Sequence, residues 1–334
     1  MKRGQVLLRQ VLKISFIVTV TLIVLEVLLR LCGIQPFRVR LYEIQSVPAF
    51  CLIPNEQYGF GLNPGEFDIS INKGVHYHAT HSADSLRILA YEPIKHFDKT
   101  VDIHGCSFTY GMSVDDSLAF PFLLQQRFSN IRFRSYAVPG FGNIQALIRL
   151  QEQLKNSDYP DTLIVCYADF HDERNVLNAN YRKSLYHGFL NAHAEVLPLF
   201  TRGNIPFYDV RKGIQYCNWN ELYDNWQGRE YCAIINAFQN TAETIQLRQG
   251  KTETHQIFLE LFHLCQQHDI QLVIATITKN ESTTQTIEFC QQQGIEVIDI
   301  GLNLPSAEYC NLPYDTHPNQ KTHQVFEARL RRLF

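Results

Sequence analysis

The feature that most constrains the fold is the stretch Val101–Gly111, with the sequence VDIHGCSFTYG. A run with alternating apolar residues stops at Gly105, and Ser107 follows two residues later. Because glycine permits a sharp backbone turn, this pattern predicts a buried strand that ends abruptly and leads into a loop and a helix. Ligands of open α/β sheets bind beyond the carboxyl ends of the strands, so Ser107 is placed as a nucleophile would be. The motif differs from the Gly-x-Ser-x-Gly elbow because position 109 is threonine.

A second motif lies near the end of the chain, in residues 312–319 with the sequence LPYDTHPN. Asp315 and His317 are two residues apart, so their side chains face the same side of an extended segment. The carboxylate can then hold Nδ1 of the imidazole while Nε2 faces a serine hydroxyl, which is the arrangement of a serine triad. Asn319 is placed to cap a C-terminal helix. The alternative is that Asp315 only caps this helix.

These motifs resemble those of the SGNH/GDSL hydrolase family, in particular its membrane-anchored bacterial type. The family's first block, Gly-Asp-Ser-(Leu/Phe)-(Ser/Thr), corresponds to Gly105–Thr109, and its last block, Asp-x-x-His or Asp-x-His, corresponds to Asp315–His317. Residues 136–142 look like the second block, and residues 170–175 stand where the third is expected. The resemblance covers residues 99–334. It implies a three-layer α/β/α, flavodoxin-like fold with about five parallel strands.

The resemblance also implies acyl transfer. His317 would take the proton of Ser107, the serine oxygen would attack an ester carbonyl, and an acyl-enzyme would form. Asp315 would orient His317 and stabilise its charged form. Water or a sugar hydroxyl would then release the acyl group.

The oxyanion hole is where the chain departs from the family pattern. Relatives use the amide of the serine, the amide of a second-block glycine and the side chain of a third-block asparagine. Here the second amide is that of Ala137 or, if the loop is aligned later, Gly140. The third position is His171, and the alternative is Asn175 one helical turn later. Loss of one donor costs on the order of 100-fold in rate, so this position matters.

Composition excludes several classes of protein. The 334 residues are 45% hydrophobic and 19% charged, which indicates a globular chain. The net charge of -3 gives no nucleic-acid footprint, and the motifs imply no metal or organic cofactor.

Nine cysteines cannot all pair within one chain, and Cys217 with Cys232 is the one pair that suggests itself. We interpret Cys106 as a buried, inert thiol and His104 as a core or interface histidine with its hydrogen bonds satisfied.

Residues 1–33 are predicted to form a membrane anchor. Basic residues precede an uncharged run from Ile14 to Leu25, and the pair Glu26 and Arg30, at i,i+4, can neutralise each other near the interface. A cleaved signal peptide is the rival interpretation, but no Ala-x-Ala-like site follows. The basic N-terminus favours a cytoplasmic start and an exported remainder, although Arg30, Arg38 and Arg40 on the far side weaken this orientation.

The rest of the chain divides into three parts. Residues 34–98 are predicted to be a β-rich connecting region beside the catalytic domain. His76 and His78 share one face there and could begin a metal site, but a surface strand is the better interpretation. Residues 99–334 alternate strands with helices, which indicates a parallel sheet. Among the helices, one is expected from Val114 to about Phe128 and one from about residue 253 to 268. An insertion at about 176–250 interrupts the alternation, and it is either a lid or acceptor surface, or a structural elaboration.

The sequence therefore predicts a membrane-anchored, extracytoplasmic serine ester hydrolase that acts on an acyl ester or an acylated carbohydrate. One alternative is an O-acyltransferase that modifies a cell-surface polysaccharide with the same triad. Another is a non-catalytic binding or assembly protein on the same fold, which the altered third block makes plausible.

Overall fold

The computed structural model describes residues 2–38, 43–92, 94–192, 203–221 and 226–334. Two compact units divide the chain, one formed by Met1–Arg40 with Asp224–Ile245 and the other by Leu41–Tyr223 with Gln246–Phe334. Two parts of the predicted insertion, residues 193–202 and 222–225, lie outside the described residues. Arg40, which bears on the predicted membrane orientation, also lies outside them.

The chain begins with a long helix and five short strands, and the rest consists of strands and helices in succession, with one hairpin among them. In chain order they are α1 (Lys2–Leu31), β1 (Ile44–Val47), β2 (Leu52–Asn55), β3 (Gly59–Leu62), β4 (Gly65–Ile71), β5 (Val75–His81), β6 (Lys99–His104), α2 (Ser107–Tyr110), α3 (Phe120–Arg127), β7 (Ile131–Ser135), α4 (Ile144–Asn156), β8 (Thr162–Tyr167), α5 (His171–Asn175), α6 (Ala179–Ala192), β9 (Asn204–Asp209), β10 (Gly213–Asn218), α7 (Ala233–Gln267), β11 (Gln271–Thr278), α8 (Glu281–Gln292), β12 (Glu296–Leu302) and α9 (Gln320–Leu330).

The central sheet of the second unit has five parallel strands in the order β12-β11-β8-β6-β7. Numbered along the chain, this is the order 2-1-3-4-5, which is that of flavodoxin. The predicted fold with five parallel strands is confirmed. The order reverses between β6 and β8, so the crevice at their carboxyl ends is the place where this architecture binds ligands.

Both faces of the sheet are covered, as the strand sequences require. In β8 every residue is buried: Leu163, Val165 and Tyr167 enter one core, while Ile164 and Cys166 enter the other. Successive strand residues point to opposite faces, so a continuous apolar run needs helices on both sides. Helices α4 and α7 contribute to the first core, and α3 and α9 to the second. This gives the predicted three layers.

Two helix starts differ from the prediction. A single helix was expected from Val114 to Phe128, but Ala119 is extended and α3 begins at Phe120, with Pro121 in its first turn, where a missing N–H costs nothing. A helix was expected from about residue 253, but α7 begins at Ala233, inside the predicted insertion. The described part of the insertion also contains α6 and the β9–β10 hairpin.

The connecting region is β-rich, as predicted. Strands β1, β4 and β5 form an antiparallel sheet, and β2 and β3 form a hairpin. The apolar residues of β4 and β5 are buried apart from the half-buried Val75 at the start of β5. His76 is exposed, and Nδ1 of the half-exposed His78 lies 3.0 Å from Asp68 Oδ1. All nine cysteines are free, so the suggested pair of Cys217 and Cys232 is not formed.

The first unit is built on α1. Within it, the stretch Leu8–Leu31 is long and apolar enough to cross a membrane, with a mean hydropathy of 2.4. The predicted pair of Glu26 and Arg30 is present, with a nitrogen–oxygen distance of 2.7 Å. Buried Arg229 donates hydrogen bonds to Asn236 and Glu243, which ties the loop before α7 to the helix itself.

Candidate active site

Ser107 is the first residue of α2, just beyond the carboxyl end of β6. The turn between them needs a glycine, because a Cβ atom at Gly105 would lie 2.1 Å from Thr109 Oγ1 and 2.6 Å from Thr109 Cβ. Thr109 is buried, so it cannot move aside. The sequence thus forces the chain to fold tightly here and places the Ser107 hydroxyl at the switch point of the sheet.

The structure brings the two distant motifs together. Nε2 of His317 lies 3.0 Å from Ser107 Oγ, and Nδ1 of His317 lies 2.7 Å from Asp315 Oδ1. An ionised carboxylate only accepts hydrogen bonds, so Nδ1 carries the hydrogen and Nε2 accepts from the serine hydroxyl. Ser107 and Asp315 are buried, and the His317 side chain is 15% exposed. The three side chains therefore have the geometry of a Ser-His-Asp triad.

Asp315 has a second partner that the sequence analysis missed. The hydroxyl of buried Ser113 donates to Asp315 Oδ2, opposite the oxygen that holds His317. Burial favours the neutral acid, but the hydrogen bonds from His317 and Ser113 outweigh it and lower the pKa of Asp315 below its ordinary value. Ser113 has φ +75°, a left-handed conformation that costs a non-glycine residue about 1–2 kcal/mol. No pattern in the sequence marks this serine.

Arg87 of the connecting region fixes the loop that carries Ser113. Its guanidinium donates to the carbonyls of Tyr110, Gly111 and Val114 and forms a buried ion pair with Asp116, with a nitrogen–oxygen distance of 2.7 Å. Arg87 and Asp116 are each only 2% exposed. The sequence analysis also missed this residue, because its partners lie 23–29 residues further along the chain.

The predicted second-block residues lie in the loop after β7. Ala137 is fully buried, and the N–H of the next residue, Val138, donates to Gly105 O at 3.2 Å. Gly140 has φ +95°, a conformation that favours glycine. Its carbonyl accepts from the hydroxyl of Tyr181. This loop is therefore bonded to the turn that precedes Ser107.

His171 presents a buried hydrogen-bond donor. Its Nδ1 accepts from the N–H of Ala168 at 3.3 Å, which places the hydrogen on Nε2. Nε2 is buried and meets no hydrogen-bond partner among the described residues. Burial, with a smaller contribution from the positive charge of Arg174, lowers the pKa of His171 well below its ordinary value, so the ring is neutral. The neighbouring Phe170 ring packs 5.3 Å from Phe108, which follows Ser107.

Asn175, the alternative for the third position, is committed elsewhere. Its Nδ2 donates to Thr254 Oγ1 at 2.7 Å and to Asn143 Oδ1 at 3.4 Å. Its Oδ1 accepts from the N–H groups of Asn143 and Ile144, at the start of α4. Both amide hydrogens are used, so the structure gives Asn175 a role in holding α4 and leaves no donor for an oxyanion.

The two remaining candidates are buried, as expected, but Nε2 of His104 has no hydrogen-bond partner among the described residues, so its predicted hydrogen bonding is wrong. Cys106 is 0% exposed and belongs to the hydrophobic core. His104 stacks on Tyr136 with ring centroids 5.0 Å apart, and burial lowers its pKa to about 3. His104 lines a cavity of about 70 Å³ with Arg149 and several aromatic rings, and none of the triad residues is part of that lining.

The fold is that of an α/β protein, and Ser107, His317 and Asp315 lie at its topological switch point with the geometry of a triad. Solved structures that match this chain include GDSL lipolytic proteins and esterases, and the sequence motifs resemble the GDSL family. A member of the lipolytic G-D-S-L family from Veillonella parvula is 11% identical and has a TM-score of 0.38, with 70% of this chain and 97% of that chain covered.

Two esterases match to a similar extent. For the psychrotrophic esterase from Pseudoalteromonas sp. the identity is 12% and the TM-score 0.37, over 70% of this chain and 96% of that one. For an acetyl xylan esterase from Butyrivibrio proteoclasticus they are 12% and 0.37, over 72% and 65%. No family model and no curated protein matches the chain. The TM-scores are all below 0.5, so any statement about this chain's chemistry depends on its own residues.

Proposed function

We propose that this chain is a carboxylic ester hydrolase that acts through Ser107, His317 and Asp315 and forms an acyl-enzyme. The observation that supports this most directly is the unbroken chain of hydrogen bonds from Ser107 Oγ through His317 to Asp315, at 3.0 and 2.7 Å. A serine hydroxyl is a weak nucleophile until an adjacent base removes its proton, and a base of this kind needs a third group to orient it. We assign these three roles to Ser107, His317 and Asp315.

The reaction proceeds in two halves. His317 Nε2 removes the proton of Ser107, and Oγ attacks the carbonyl carbon of the ester to give a tetrahedral oxyanion. Collapse of this intermediate breaks the bond to the alcohol, which leaves with the proton that His317 returns, and the acyl group stays on Ser107. Water then attacks the acyl-enzyme with His317 again as the base, and the carboxylic acid is released.

Three donors are proposed for the oxyanion. The first is the N–H of Ser107, which as the first residue of α2 has no partner within the helix. The second is the N–H of Gly140, with that of Ala137 as the alternative. The third is the neutral imidazole of His171, whose Nε2–H is buried and without a protein partner among the described residues. A histidine would then replace the asparagine of the family's third block.

We propose that α1 remains attached as a membrane anchor and that the catalytic unit lies outside the cytoplasm. Glu26, near the end of the apolar stretch, accepts hydrogen bonds from the N–H groups of Ala233 and Ile234 at 2.8 and 3.0 Å. A helix that was cleaved as a signal peptide would take this capping group away from α7. The basic residues Arg9 and Lys13 favour the cytoplasmic side for the N-terminus.

The proposed substrate is an acyl ester, which includes acyl groups on carbohydrate. The test is labelling of the full chain in detergent with a fluorophosphonate, which reacts with activated serines. We expect labelling of the unaltered chain and of Ser184→Ala, which removes an exposed serine on α6. We expect none with Ser107→Ala or His317→Ala. Folded protein that does not label, or labelling that survives Ser107→Ala, would refute the proposal.

A second assay separates hydrolysis from transfer. Acetylated oligosaccharide would be incubated with unlabelled chain from the preparation that reacts with the fluorophosphonate. The incubation would be run with and without an unacetylated acceptor glycan. Free acetate in both incubations supports the hydrolase. Acetate that appears on the acceptor in place of free acetate would show that the triad serves an O-acyltransferase.

A further inference from the structure

An apolar stripe lies on the first half of α7 and is exposed at three of its four residues, with Ile235 half-buried. It consists of Ile235, Phe238, Ala242 and Ile245, which follow one another at spacings of three or four residues and therefore share one face of the helix. Phe238 is 64% exposed and Ile245 is 59% exposed. The buried face of the same segment carries polar groups, including Glu243, which is paired with Arg229. This first segment of α7 is thus reversed relative to a helix of a soluble protein, with its apolar face outward, whereas the later part of α7 packs into the first core.

The start of α7 is held at the end of the candidate membrane span. Both oxygens of Glu26 accept hydrogen bonds from the first N–H groups of α7, and Arg30 donates to Tyr231 O at 2.9 Å. Glu26 lies five residues before Leu31, the last residue of the span, which is about 7.5 Å along the helix axis. If α1 crosses a bilayer, the start of α7 lies at the level where the hydrocarbon meets the headgroups.

The residues just before α7 have the composition of that boundary. Trp226 is 45% exposed and Tyr231 is 81% exposed. Exposed tryptophan and tyrosine rings are enriched at the interface between membrane and water, because their apolar rings and polar groups suit opposite sides of it. The aromatic rings and the apolar stripe belong to the same compact unit as α1.

We propose that the apolar stripe of α7 is a lipid-binding surface that lies in the interface of the membrane crossed by α1. This inference rests on the proposed membrane anchor and not on the ester hydrolase activity. The lipid acyl chains next to the headgroups cover Phe238 and Ile245, and the polar face of the helix packs on Arg229. The anchor therefore consists of one spanning helix and one interfacial helix segment, joined by Glu26 and Arg30.

The test measures contact with lipid directly. The full chain would be reconstituted in phosphatidylcholine vesicles with bromine on the acyl chains, as Phe238→Trp and, for comparison, as Thr244→Trp. Thr244 is exposed on the same helix but lies about 120° around its axis from Phe238. Emission of the unaltered chain, which contains Trp219 and Trp226, would be subtracted from both.

We expect bromine near the headgroups to quench the indole added by Phe238→Trp by roughly half and that of Thr244→Trp far less, because interfacial helices bury their apolar face about 5–10 Å deep. Equal quenching of the two, or none at Phe238→Trp, would overturn the proposal. An indole that is shielded from aqueous iodide but not quenched by bromine would assign the stripe to a protein partner or a second copy, which also overturns it.

Alkaline extraction of the same vesicles separates the two proposals. A chain that stays in the membrane while Phe238→Trp is unquenched retains its anchor and lacks the lipid-binding surface. A chain that is extracted overturns the anchor, and the lipid-binding surface with it.

Discussion

Removal of the Ser113 hydroxyl should lower the rate of ester hydrolysis although Ser107, His317 and Asp315 themselves are not substituted. In Ser113→Ala, Asp315 keeps its hydrogen bond to His317 but loses the one that Ser113 donates to Oδ2. The carboxylate is only 1% exposed, so water does not readily replace the lost donor. The negative charge then becomes costlier, and the carboxylate is freer to rotate away from His317.

The size of the effect follows from the charge of the acceptor. A hydrogen bond to a charged group contributes about 1.5–3 kcal/mol. If all of it is expressed in the transition state, where Asp315 faces a histidinium, kcat/KM falls by about 10- to 150-fold, since each 1.36 kcal/mol is tenfold in rate. The measurement is kcat/KM for a p-nitrophenyl ester, with thermal unfolding of the same sample as a check on folding.

The pH dependence of stability gives an independent readout. The lowered pKa of Asp315 means that its carboxylate stabilises the fold at neutral pH, and this stabilisation is lost as the pH falls through the folded-state pKa. Ser113→Ala raises that pKa toward its ordinary value. The variant should therefore be less stable than the unaltered chain at neutral pH, and the difference should vanish in acid, where both carboxyls are protonated.

Ser113→Gly is the matched control. It removes the same hydroxyl but relieves the left-handed backbone, so it should be more stable than Ser113→Ala by about 1 kcal/mol and equally slow. Full activity of Ser113→Ala would refute the positioning role of the hydroxyl. Activity restored in Ser113→Gly would show that backbone geometry, and not the hydrogen bond, was responsible.

Three further changes test the surroundings of the triad. Gly105→Ala places a Cβ atom 2.1 Å from Thr109 Oγ1, so we expect the free energy of unfolding, measured by thermal unfolding, to fall by about 1–3 kcal/mol. Fluorophosphonate labelling should be lost as well. Arg87→Met leaves Asp116 buried without its ion-pair partner and three carbonyls without their donor, and should cost about 3–5 kcal/mol in urea unfolding; Arg87→Met with Asp116→Leu should recover only the part due to the unpaired carboxylate. Burial raises the pKa of Asp172 to about 6, so the folded state favours the protonated carboxyl, and the free energy of unfolding falls as the pH rises from about 4 to 6. Asp172→Asn should abolish this fall of up to about 3 kcal/mol, which is measured by unfolding at a series of pH values.

Each of these has a contrary outcome. Normal labelling of Gly105→Ala would mean that the turn before the serine tolerates a side chain. A stable Arg87→Met would show that the carbonyls it binds are held by other contacts. A stability profile of Asp172→Asn that parallels that of the unaltered chain would assign the pH dependence to a different group.

The parallel sheet could be predicted from the sequence because its strands are apolar on both faces. In β8 the alternate residues Leu163 and Ile164 enter different cores, which only a sheet covered on both sides permits. The order of the strands followed from the family resemblance and not from the pattern. The start of α7 was missed because its first segment carries polar residues on the face that the fold buries, and its cap, Glu26, lies 207 residues away.

The three residues of the candidate triad could be selected from the sequence for a different reason. Ser107 follows a strand end that needs glycine, and Asp315 and His317 are neighbours in sequence, so local chemistry marks all three. Ser113 and Arg87 carry no such mark, because their significance depends on the residues that the fold brings to them. The choice between His171 and Asn175 was also open in the sequence, and only the hydrogen bonds of the two side chains separate them.

The connecting region belongs to the machinery around Asp315 and not merely to its surroundings. Arg87 binds the loop that carries Ser113, on one side of the carboxylate. On the other side, Asn72 Nδ2 donates to Tyr314 O at 2.7 Å, and the turn packs so closely that a Cβ atom at Gly74 would lie 2.1 Å from the Tyr314 ring. Ser113 and Tyr314, which lie on either side of Asp315, are thus positioned by residues that precede the central sheet. A domain boundary at residue 99 would keep the three triad side chains in one piece but remove the contacts that fix their aspartate.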